Sequence, residues 1–143
     1  MNATKAIVFV AAALTTAAAC ADDLAPGQWQ ITLESRVPGD AGWAPAPFSM
    51  TQCLTAGDAR DPSRLIGSIS TPGATGCNYT EKSYSGSTFR FALECPGTFA
   101  LKTKGSVNFS ANSFEGDITA NTTMGGQAVL MQNRVSGRRL GSC

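Results

Sequence analysis

The chain has 143 residues, 11 basic and 10 acidic side chains, no histidine and five cysteines. The missing histidine excludes Ser-His triads, histidine bases and histidine-based metal sites together. Near-neutral charge argues against nucleic acid or an anionic membrane surface as partner.

Residues 1–21 have one positive charge at Lys5, an apolar run from Ala6 to Leu14, and then small residues. That order is read as a secretory signal peptide with cleavage before Asp22, which leaves 22–143 as a single β domain. The alternative makes Cys20 the lipid-modified first residue of an outer-membrane lipoprotein, although Ala17 stands where a bulky aliphatic is usual. Beyond this segment no stretch approaches the ~18 apolar residues of a membrane span. The domain has ten basic and ten acidic side chains once Lys5 is removed. With Cys20 gone, four cysteines remain: Cys53, Cys77, Cys95 and Cys143. An even number in an exported chain reads as two disulfides in an oxidising compartment.

In chain order, residues 28–37 alternate Trp29, Ile31 and Leu33 with Gln30, Thr32 and Glu34, the period of a half-buried strand. A proline-rich loop around Trp43 follows, then a second strand over 48–54. Residues 54–67 hold the one credible helix, with Thr55 and Asp58 as a capping box, Pro62 as a break and Gly67 as its end. Its polar residues Asp58, Arg60, Asp61 and Arg64 read as a solvated face. Five further strands are expected over 77–83, 88–95, 98–109, 113–124 and 127–137, separated by short turns. No strand alternates with a long helix. The fold class is therefore all-β: an antiparallel meander of about seven strands, curled into a small barrel-like or sandwich domain.

The hairpin from Cys77 to Cys95 can be worked further. Opposed residues in an antiparallel pair have a constant sum, so a turn centred on Gly86 sets Cys77 against Cys95. The same register sets Tyr79 against Leu93, Glu81 against Phe91, Lys82 against Arg90 and Ser83 against Phe89. Opposed α-carbons lie about 4.5–5.5 Å apart, within the reach of a disulfide. Cys77–Cys95 is assigned on that ground, and Cys53–Cys143 follows by subtraction. A thiol-exchange role is disfavoured because there is no C-x-x-C spacing and no basic neighbour to activate either thiol.

No catalytic, metal or cofactor set emerges. Glu115 and Asp117 share a strand face, as solvated acids do. Met50, Met124 and Met131 are soft metal ligands in principle but are scattered and serve as core filler. Arg134, Arg138 and Arg139 form a basic concentration, read as a solvated strand end or as a small anion site.

The signal peptide, "PGQWQITL", "TQCLT" with "DARDP", the "SYSGSTFRFALEC" hairpin, "GSVNFSANSFEGDI", "MGGQ" and the terminal "SGRRLGSC" together resemble a bacterial exported family, domain of unknown function 3617. The resemblance spans nearly all of the mature chain and keeps the order of its cysteines. It implies a Gram-negative envelope protein and supplies no activity. Relatives carry Met-rich stretches after the P-G-x-W opening, where this chain has "VPGDAGWAPAP". The reading is then a non-catalytic periplasmic binding domain, without cofactor, for a small apolar ligand or an envelope protein. The apolar strand faces would line a lipocalin-like cavity. The alternative is an interaction or inhibitor module that uses the Trp43 loop.

Overall fold

The structure, a computed structural model, describes residues 24–39, 45–71, 74–97 and 100–143. Seven antiparallel strands form one sheet: β1 (Gly27–Arg36), β2 (Phe48–Leu54), β3 (Asn78–Ser85), β4 (Thr88–Cys95), β5 (Leu101–Phe109), β6 (Ser113–Met124) and β7 (Gln127–Gly141). Their order is β2-β1-β7-β6-β5-β4-β3, so β3 to β7 are a meander and the β1–β2 hairpin docks with β1 against β7. The sheet is open rather than closed into a barrel, with β2 and β3 as its edges.

Two short helices, α1 (Ala56–Arg60) and α2 (Ser63–Ser70), carry the chain from one edge to the other. Thr55 caps α1 through a complete capping box: its hydroxyl accepts from Asp58 N–H while the Asp58 carboxylate accepts from Thr55 N–H. The break falls at Pro62, as its ring requires. The helix does not end at Gly67, however; α2 continues to Ser70. A β-carbon at Gly67 would lie 3.2 Å from the Tyr79 hydroxyl oxygen, so this glycine serves close packing of helix on strand.

The register divides the sheet into two faces. The inner one carries Trp29, Ile31, Leu54, Phe89, Phe91, Leu93, Val107, Phe109, Phe114, Ile118 and Val135, and these form one core with Ala59, Leu65, Ile66 and Ile69 of the helices. Helix α2 thus fills the concavity that would otherwise be a lumen, and the lipocalin-like cavity is not formed there. The aromatic side chains pack in contact: Trp29 stacks on Phe114 with centroids 5.7 Å apart, and Phe89 on Phe91 at 5.5 Å. The outer face is polar, with ion pairs Lys102–Glu94 and Arg134–Glu115.

Cys77 pairs with Cys95 at a Cα separation of 4.0 Å, and Cys53 with Cys143 at 5.7 Å. The hairpin reaches the first pairing by two compensating steps. Its turn is Gly86-Ser87, with Ser85 opposite Thr88 and Gly86 at φ +58°, the conformation that glycine adopts most readily. That turn sets Ser83 against Arg90 and Lys82 against Phe91, one residue out of step with the register expected from a Gly86-centred turn. A bulge between Tyr79 and Glu81 then restores it, so Tyr79 meets Leu93 and Asn78 meets Glu94. Lys82 therefore avoids Arg90, and Glu81 lies against Ala92 instead of Phe91.

Candidate functional site

Two places on this scaffold collect features that packing alone leaves unexplained. The first is a polar cluster where α2 begins beside the β3 edge. Asp61 Oδ1 accepts from the Ser63 hydroxyl (2.6 Å) and the Tyr84 hydroxyl (3.1 Å), and Lys82 Nζ lies 3.8 Å from Oδ2. Tyr79 donates to the Ser63 carbonyl, and the Lys82 ammonium sits 5.6 Å from the Tyr79 ring centroid. The Ser63 hydroxyl bond is the largest influence holding the Asp61 carboxyl below its ordinary range, with Tyr84 and Lys82 adding to it against a partial burial penalty. Burial, first of all, pushes both Tyr79 and Tyr84 up to about 12. Both phenols are protonated at neutral pH and engaged as donors, so the cluster ties helix to edge strand. A cleft of about 250 Å³ beside it, lined by Leu24, Ala59, Pro62, Tyr84 and Phe109, is small for a ligand site.

The second place is the half of the inner face that the helices leave open. At the upper end, where Gly27 meets Leu54, the face lies in the core. Toward the lower end, Leu33 pairs with Phe48 on one side and Val135 on the other, and Ile31 pairs with Met50. The β6–β7 ribbon runs on past its neighbours, since β1 follows β7 only to Gln132 and β5 follows β6 only to Asn121. On the inner parity of this region lie Leu33, Phe48, Met50, Met124, Val129 and Met131, interspersed with the polar Ser35, Asn133, Thr122 and Gln127. Phe48 is 62% exposed, Met124 56% and Met50 37%. Near it, Thr103 is buried, and among the described residues its hydroxyl has no hydrogen-bond partner.

The remaining sequence candidates fall apart in space or lie elsewhere. Arg134 pairs with Glu115, Arg138 donates to the Gln30 side chain at 3.0 Å and Arg139 to the Pro26 carbonyl at 2.8 Å, so the three arginines are tied separately and assemble no anion site. Glu115 and Asp117 point outward from β6 and are exposed. Among the described residues no group of three or more Cys, Asp or Glu is placed to hold a metal ion. Cys20 and Trp43 lie outside the described residues. Sequence reasoning missed the Asp61 cluster because its members come from two segments, Asp61 and Tyr84 being 23 residues apart in the chain; the one available signal was the pairing of Asp61 with Ser63 around Pro62.

Fold and site together define a disulfide-stapled antiparallel β domain, backed by a helix pair across one face and leaving Phe48, Met50 and Met124 uncovered on that face. Its disulfides are consistent with an oxidising extracellular or periplasmic compartment. The chain belongs to the family described as Protein of unknown function (DUF3617), whose model matches residues 24–143. No curated protein and no solved structure matches it.

Proposed function

We propose that this protein is an exported, non-catalytic binding domain of the bacterial envelope. Its contact surface is the open inner-face strip, and its occupant is a small apolar ligand or an apolar segment of an envelope protein. One observation carries the reading: Phe48, Met50 and Met124, three of the large exposed apolar side chains, stand on the same side of the sheet as the core. Each would gain about 1–2 kcal/mol on being covered, a standing cost that a partner relieves. Residues 45–50, directly after the Trp43 loop, are also exposed, which favours that loop as an added contact.

Native and intact-mass spectrometry of protein purified from its own periplasm tests the reading. The expected result is a chain starting at Asp22, with Cys20 removed and no lipid attached, and with co-purifying apolar mass that Phe48→Ser/Met124→Ser loses. Bare polypeptide that also fails to bind an apolar fluorescent probe would refute it. A Trp43→Ala variant that keeps the full complement of partners would remove the loop from the contact surface.

A further inference from the structure

We infer that the outer edge of β2 is an assembly edge, and that its occupant is β2 of a second copy of this chain, paired antiparallel about a twofold axis. A free edge strand is a template for another strand, and proteins blunt it with charge, proline, bulges or a cover. The two edges of this sheet differ sharply in that respect. β3 carries Glu81 and Lys82, is interrupted by the bulge between Tyr79 and Glu81, and is tied through Tyr84 and Lys82 to Asp61. Among the described residues, β2 has none of these devices. Its sequence, Phe48-Ser49-Met50-Thr51-Gln52-Cys53-Leu54, carries no charge, and Cys53 is held in a disulfide. Its register against β1 runs unbroken from Phe48 to Leu54, and residues 48–51 are all exposed. Pro45 and Pro47 precede the strand and do not interrupt it.

The charge pattern selects the occupant. A twofold axis perpendicular to the sheet keeps each copy's inner face on the same side, so residues of equal parity meet. Applied to β3, self-pairing would bring Glu81 near Glu81 and Lys82 near Lys82. Applied to β2, every such register opposes uncharged side chains. Centred on Ser49, it sets Phe48 against Met50 of the partner; centred on Thr51, it sets Met50 against Gln52 and Phe48 against Leu54. In both, the exposed Phe48 and Met50 of two copies gather on one continuous face. An edge without charge offers a foreign strand nothing to be selected by, whereas a copy is matched by symmetry.

The experiment is sedimentation equilibrium of the oxidised mature chain, with charge exchange at Thr51. Thr51 lies on the outer face opposite Gln30, away from Phe48 and Met50, so its variants leave each chain's own apolar contacts intact. That separates failure of this inference from failure of the binding reading. The wild type is expected to dimerise. Like-charge contact arises where a residue meets its own copy, so Thr51→Lys and Thr51→Glu should each weaken a Thr51-centred dimer by about tenfold or more. An equimolar mixture of the two should restore association as a heterodimer. Ser49→Lys and Ser49→Glu should do the same to a Ser49-centred dimer. A wild type that stays monomeric, variants at both positions with unaltered dissociation constants, or mixtures that restore nothing would each overturn the inference.

Discussion

Gly137 offers the sharpest test of how the inner face is packed. It lies on β7 between Ile31 of β1 and Phe114 of β6, and the Phe114 ring folds directly over it. A β-carbon there would stand 2.1 Å from Phe114 Cε1 and 2.4 Å from Cζ, far inside contact distance. The ring has nowhere to go. It is stacked on the fully buried Trp29, and Phe109 flanks it with centroids 6.0 Å apart. Gly137 does not occupy the left-handed region, so alanine would carry no backbone penalty and would gain slightly from a less flexible unfolded chain. Overpacking of this kind costs typically 1–3 kcal/mol, and with two aromatic neighbours fixed the upper part of that range applies, about 2–3 kcal/mol. For a domain of this size that lowers Tm by roughly 10 °C. Thermal and urea unfolding of oxidised Gly137→Ala measure it. In a double-mutant cycle, Phe114→Leu should recover a large part of the loss, a coupling of about 1 kcal/mol or more. Gly126 is the contrast: at φ +80° with nothing within 4 Å, its alanine variant costs backbone strain that no aromatic truncation relieves. A Gly137→Ala protein as stable as the wild type, or a cycle without coupling, would refute the packing of Phe114 over this strand.

The two disulfides should differ in lability. Cys53 and Cys143 are exposed while Cys95 is buried, so mild thiol treatment followed by alkylation and mapping should label Cys53 and Cys143 first. In the chain-entropy view, with separations of 90 and 18 residues, losing Cys53–Cys143 costs about 5 kcal/mol and losing Cys77–Cys95 about 3 kcal/mol. The chain contains two tyrosines, Tyr79 and Tyr84, so its tyrosinate absorbance reports on them alone. Both phenols should ionise near 12 in the folded protein and near 10 in denaturant. Because folding raises these values, their stabilising contribution is complete below pH 10 and is lost as pH rises toward 12. Titration near 10 in the folded state would contradict the partial burial of Tyr79 and the hydrogen bond from Tyr84 to Asp61.

Strand legibility followed from physics local to the chain. Alternation along β1, β2, β4 and β6 and the glycine turns are properties of neighbouring residues, and these strands lie within a residue of where the alternation puts them. The ends of β5 and β7 were less legible. β7 runs on to Gly141 because β1 supplies hydrogen-bond partners for its last residues, through a bulge at Gln28. The hairpin of Cys77 and Cys95 shows the limit most clearly. Constant-sum arithmetic finds the right bond although the turn is one residue shorter than assumed, since the bulge after Tyr79 returns the shift. Nothing within 77–95 announces that bulge. It lets Tyr79 face Leu93 and reach the Ser63 carbonyl, while carrying Glu81 off the core.

By itself, then, the sequence determined an all-β, disulfide-stapled domain with its strands and cysteine pairs, because periodicity, turn chemistry and pairing parity act over a few residues. Tertiary structure decided the rest. It docked β1 against β7, ran α2 across the concavity in place of an empty barrel, and left β2 as an uncharged edge beside uncovered Phe48 and Met50. Those outcomes turn on which apolar faces cover one another. That competition is settled among all the elements at once, so no single stretch of the chain encodes it.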